Sequence, residues 1–337
     1  MLKALWARLT GNDAPEHRRD IALATDFDPV EMVWYDDTRM PIPAWREIRE
    51  SAPEASTDAE RDAFWSAAAG HWLTALAEEL GEDYRIHQSP DFLLLSALED
   101  RPAELLLTFC QSARSWILRN LGDAAQARVF GRHVILLFAS EDDYYDYISH
   151  YGEQGGEYTM SSGCFINAGY GHFVLYEHDL ERMQPVIAHE LTHCLLMHLR
   201  IPAWLNEGMA VNTEHALFPY LADPRNALYH PTELRAKHAA FWNAYTIQEF
   251  WSGKSFMRPD EGSMLSYDLA KRITASAARD EASFLPFLRD AQYKDAGLSA
   301  EHHLGYPIEH LVLVMLGEGD WRPAPERWAQ GTEKGQF

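Results

Sequence analysis

No stretch of this 337-residue chain approaches the roughly 18 continuous apolar residues of a membrane helix, so a spanning segment is not expected. Basic side chains are scarce: 29 Lys and Arg stand against 51 Asp and Glu, a formal net charge of -22. Nucleic acid needs a basic footprint and anionic lipid repels an acidic surface, so neither is expected as a partner. The charge reads as solubility. Cysteine is sparse too. Cys110, Cys164 and Cys194 form an odd set without CxxC spacing, which argues against a disulfide frame or a thiolate zinc site and for three small apolar residues. There is no internal repeat and no low-complexity tract. Met1 to Gly11 carries Leu2, Leu5, Trp6 and Leu9 on one helical face. Lys3 and Arg8 interrupt any signal core and no small-residue cleavage site follows. The reading is a surface helix on a cytoplasmic protein.

What is present supports a packed core: 47% hydrophobic and 12% aromatic residues. Residues 1–82 read as a mostly helical N-terminal extension, with Phe64, Trp65, Trp72 and Leu76 on the apolar face of a helix from Ala59 to Leu80. Residues 83–179 read as an α+β sheet subdomain. Tyr84–Gln88 and Asp91–Leu98 are strands about a Ser89-Pro90 turn, Ala103–Leu121 is a helix, and His133–Ala139 is an apolar strand. Ser140 caps a helix bearing Tyr144, Tyr147 and Ile148. Gly163–Ala168 and Phe173–Glu177 form a hairpin about Gly169-Tyr170-Gly171. Residues 180–337 read as helical only. The fold class expected is therefore α+β, a small mixed or antiparallel sheet followed by a helical half, with a substrate cleft between the two.

The chemistry concentrates in His189-Glu190-Leu191-Thr192-His193, inside an apolar helical run from Leu180 to Arg200 that Pro202 must stop. Positions i and i+4 of a helix point the same way, so His189 and His193 offer two imidazoles to one ion. Glu190 lies about 100° round the axis. There its carboxylate stands beside a metal without ligating it, as a general base for metal-activated water. A catalytic zinc needs a third protein ligand. A His six residues after the second, beyond a glycine, is one solution, but Leu199 and Leu196 occupy those positions. His198 projects from the wrong side of the helix and reads as a surface residue. The other solution is a carboxylate on a following helix. In Ala203-Trp204-Leu205-Asn206-Glu207-Gly208-Met209-Ala210, Trp204, Leu205 and Met209 can be buried while Glu207 turns toward the first helix, across a short connection. Zn²⁺, one per chain, is the implied cofactor.

The two blocks, HELTH and Trp204-Leu205-Asn206-Glu207-Gly208-Met209-Ala210, together resemble the gluzincin metallopeptidases, and most closely the peptidase MA-like branch. The connector between them is shorter than in thermolysin-like or aminopeptidase-like members. The likeness extends over roughly residues 84–321. It implies a zincin-like fold and zinc-dependent hydrolysis of a peptide or protein substrate. It also implies a Tyr hydroxyl for the oxyanion, best matched by Tyr267 in Ser266-Tyr267-Asp268-Leu269-Ala270. A closing helix is matched by Leu304-Gly305-Tyr306-Pro307-Ile308-Glu309 with Trp321. The hairpin stands where such enzymes place a cleft-lining strand, making Gly163, Cys164, Phe165 and Asn167 the expected substrate contacts through backbone pairing.

Other readings stay open. Tyr267 is either that oxyanion donor or a packed aromatic. Asn206 either orients a ligand or is an ordinary helix-surface residue. Glu214, two turns after Glu207, is either a solvated charge or an acceptor for a His ring nitrogen. The whole chain could be a zincin-fold binding module without turnover, or a zinc amidase acting on a non-peptide. An intact Glu190 argues against the module, because a structural site needs no base.

Overall fold

A computed structural model of the chain describes residues 21–24, 26–36, 38–52, 54, 57–126, 130–151, 163–176, 179–222 and 227–328. The helix expected over Met1 to Gly11 lies outside them. The described residues form an α+β protein with six strands and twelve α-helices. By contacts the chain divides into two compact units, Met1–Trp116 with Ala127–Cys194, and Ile117–Gln126 with Leu195–Phe337.

The first unit is built on one mixed sheet of β1 (Ala22–Leu23), β2 (Arg85–Gln88), β3 (Phe92–Ser96), β4 (His133–Leu137), β5 (Gly163–Ile166) and β6 (His172–Leu175), in the order β1-β2-β3-β4-β6-β5. The centre, β3-β4-β6, is parallel, and both edges are antiparallel. Parallel neighbours need crossovers. These are α3 (Asp100–Leu121) between β3 and β4, and α4 (Glu141–Ser149) after β4. Every residue of β3 and β4 is buried, as expected for strands covered on both faces. On one face Leu93, Leu95, Val134, Leu136 and Val174 join Trp45 and Ile48 of α1 (Trp45–Ser51) and Trp72, Leu73 and Leu76 of α2 (Asp58–Leu80) in one core. The stretch ahead of β2 is thus part of the sheet's packing. On the other face His133 packs tilted against Phe92 and edge-on against Phe173. There His133 Nδ1 touches Cys194 Sγ at 3.6 Å. All three cysteines are free, and burial pushes each thiol up.

The second unit is helical: α6 (Ala203–Leu217), α7 (Pro231–Phe241), α8 (Thr246–Trp251), α9 (Glu261–Ala277), α10 (Glu281–Asp290), α11 (Ala300–Leu304) and α12 (Glu309–Leu316). Trp204 of α6 is fully buried, donates its indole N–H to the Ala296 carbonyl at 3.0 Å, and packs against Trp251 and Phe287. His238 of α7 accepts from the Trp242 indole at its Nδ1 (2.8 Å), so Nε2 carries the proton and donates to Asp268 of α9 (2.9 Å). Burial alone would raise the Asp268 pKa. Hydrogen bonds from His238 and Arg272, with the charges of Arg272 and Lys271, hold it well below the carboxylate range instead. No helix of the described residues is long and apolar enough to cross a membrane.

Two buried histidines make the first unit sensitive to acid. His172 Nδ1 donates to the Tyr170 carbonyl (2.7 Å), leaving Nε2 to accept from the Tyr147 hydroxyl (2.8 Å). Burial lowers the pKa of His172 and of His133 from 6.5 to about 4, with Arg114 adding to the effect at His133. Between those values the unfolded chain binds protons that the fold refuses. Stability is therefore expected to fall as pH drops from 6.5 toward about 4, and to be insensitive to these two groups above that window. The loss approaches roughly 3 kcal/mol per ring across the full shift. Urea midpoints measured from pH 7.5 to 4.5 check this, and a flat profile would contradict it.

Candidate metal centre

The first ligand helix, α5 (Leu180–Leu196), starts at Asp179, whose side chain accepts from the Glu181 N–H at 2.9 Å and whose carbonyl accepts from Arg182 and Met183. Pro185 sits in the second turn, where only the carbonyl of Glu181 loses a partner. The helix stops at Leu196, four residues before the expected Arg200. Leu199 turns back to bond the Leu196 carbonyl, and the Arg200 carbonyl is drawn off to the Tyr293 N–H, both at 2.8 Å. The chain is then extended into Pro202. His198 lies past the helix end and is exposed.

Met183, Ile187, Leu191 and Leu195 bury one side of α5. Another side carries the half-buried His189, Glu190 and His193. The two imidazoles stand 4.7 Å apart between centroids, at 79°. In α6, Pro202 precedes the first turn, and its carbonyl accepts from Leu205 and Asn206. Trp204, Leu205 and Met209 are buried and Glu207 is half-buried. One ligand atom from each of His189, His193 and Glu207 lies within 4.8 Å of the others. Among the described residues this is the one such group of three or more His, Cys, Asp or Glu.

That set fits a catalytic-type divalent ion. Two imidazoles and one carboxylate are a ligand combination of hydrolytic zinc, with a fourth position left for water or substrate. No thiolate competes. Cys194 follows His193 but turns to His133, and burial pushes its thiol up to about 12.

Glu190 lies beside this group in sequence and reaches the sheet. Its Oε2 accepts from the backbone N–H of Phe165 in β5 at 2.9 Å. β5 is an edge strand. Of the expected substrate contacts, Phe165 is therefore engaged with the candidate base. Gly163 lies under α5, where a Cβ would come within 3.0 Å of Val186 and would also strike Leu175. Cys164 packs on the core of the opposite face, its thiol pushed up to about 11 by burial and by the charge of Glu190. Asn167 is exposed just past the strand. Tyr267 on α9 is half-buried and packs edge-on against Phe256 at 5.1 Å. Asn206 and Glu214 are half-buried on α6.

Two features of the site are not among those expected from the sequence. One is the Phe165 N–H. The other is Gly208, next to Glu207. A Cβ there would lie 2.7 Å from the Ala270 carbonyl and would meet the Thr274 side chain. Asn212 bonds the carbonyls of Gly208 (2.7 Å) and Lys271 (2.9 Å), joining α6 to α9 across this contact. A glycine inside a helix was the available hint.

No family model matches the chain, and neither a curated protein nor a solved structure matches it.

Gly208→Ala should cost about 1–3 kcal/mol, because a backbone carbonyl cannot swing aside as a side-chain tip can. Thermal melting checks this. An unchanged or raised Tm would show that the two helices part without cost.

Proposed function

We propose that the chain is a zinc-dependent peptidase of the gluzincin type, with a zincin-like catalytic region in which His189, His193 and Glu207 hold the ion and Glu190 is the general base. The observation that carries this reading is the approach of three ligand atoms, two imidazole and one carboxylate, to within 4.8 Å of one another. When bound, zinc supplies a Lewis acid that lowers the pKa of a coordinated water toward about 7 and polarises a carbonyl.

The chain's own groups supply the rest. Glu190 takes the proton of the attacking water and returns it to the leaving amine nitrogen as the peptide bond breaks. Its bond from the Phe165 N–H favours the ionised carboxylate, the form that a base requires. β5 is the edge of the sheet, where an extended peptide would add as a further strand. The Tyr267 hydroxyl is the candidate donor to the developing oxyanion.

Glu190→Gln separates turnover from metal binding, since it removes the base and leaves the three ligands in place. The expected outcome is unchanged zinc content with at least a hundredfold loss in cleavage of a peptide library. A variant that digests the library as the wild type does would overturn the base assignment. A non-catalytic binding module would be indifferent to the substitution.

A further inference from the structure

A general base acts only if its oxygen is held within about 2.6–3.2 Å of the proton it removes. The glutamate side chain has three rotatable bonds, and fixing it costs conformational entropy. Helix α5 fixes the Cα of Glu190, not its carboxylate. The carboxylate is pinned by the sheet, at the 2.9 Å bond from the Phe165 N–H.

The fit between strand and helix makes that bond possible. Val186 and Glu190 are four residues apart on α5, about 6 Å along its axis. Gly163 and Phe165 are two residues apart on β5, about 6.6 Å along the strand. The two spacings match, so the strand can follow one stripe of the helix. Val186 lies over Gly163, where a Cβ would meet its Cγ1 at 3.0 Å and strike the Leu175 side chain, and Glu190 meets Phe165. Within the antiparallel pair of β5 and β6, Phe165 lies opposite Phe173. N–H groups of alternate residues along an edge strand point inward and outward. That of Phe165 is directed to Glu190, not into the ladder.

We infer that the backbone N–H of Phe165 is a positioning group for the general base: the edge strand, through the side-chain-free surface of Gly163, sets where the Glu190 carboxylate stands during turnover. This rests on the peptidase reading above. It changes the part expected of Phe165, whose N–H serves Glu190 first and is not simply available to a substrate strand. The specificity consequence is that an extended peptide pairs on β5 through other backbone groups, or must share this N–H with the carboxylate.

Proline removes one N–H, and an edge strand tolerates it where that N–H points away from the ladder. Phe165→Pro is therefore compared with Phe165→Ala, which loses the ring and keeps the N–H. Steady-state cleavage of one peptide from the library gives kcat and KM, and bound zinc is measured alongside. The expected result is a kcat for Phe165→Pro at least tenfold below that of Phe165→Ala, with KM within threefold and zinc unchanged. In a Glu190→Gln background the two variants should be equal, because no base is left to position. A folded, zinc-loaded Phe165→Pro whose kcat lies within threefold of Phe165→Ala overturns the inference and leaves the peptidase reading standing. If Phe165→Pro does not fold, an ester at the same position, made by incorporating 3-phenyllactate for Phe165, removes the N–H and keeps the ring. The same tenfold criterion then applies against the wild type. A wild-type chain that binds zinc and cleaves no peptide overturns the peptidase reading and this inference with it.

Discussion

Two imidazoles and a carboxylate lie within 4.8 Å of one another on helices whose other faces are apolar, a donor set that suits a single divalent ion. The surrounding structure reads as the means of holding this arrangement. The phase of α5 sets His189 and His193 on one side while Ile187, Leu191 and Leu195 hold the other in the core. The extended stretch into Pro202 ends one helix and begins the next within a few residues. Trp204, buried and hydrogen-bonded to Ala296, anchors the first turn of α6 three residues before Glu207.

Rigidity is distributed unevenly around this group. The central strands are buried on both faces, and both ring nitrogens of the buried His172 are held, by Tyr147 and by the Tyr170 carbonyl. That rigid sheet ends in β5, the strand whose backbone reaches Glu190. Glycine appears at two close approaches: Gly163 where β5 passes beneath Val186, and Gly208 where α6 passes Ala270. Gly163 stands two residues before Phe165, whose N–H meets Glu190, and Gly208 directly follows Glu207. Small residues here govern distance, and distance governs the site.

Much of this was legible in the sequence because the signals were local. The apolar runs of β3 and β4, the hairpin about Gly169 with its positive φ of 65°, the Ser140 cap and the HELTH helix all depend on neighbours in the chain. The His189, His193 and Glu207 set was readable because helical period and a proline stop fix where side chains point. Non-local features were not. Strand order places β6 between β4 and β5, which no local pattern encodes. The two-residue β1 is too short to show alternation. Helix α5 ends at Leu196, and Tyr293, nearly a hundred positions on, takes the Arg200 carbonyl. The hold on Glu190 comes from a main-chain N–H, a group that every residue but proline carries, so residue identity could not announce it.

Zinc titration of the purified chain beside Glu207→Ala and His193→Ala tests the central claim most directly. The account predicts one tightly bound zinc per wild-type chain and at least a hundredfold weaker binding in each variant, with the fold retained. A folded wild-type chain that takes up no zinc, or variants that bind it as tightly as the wild type, would contradict it.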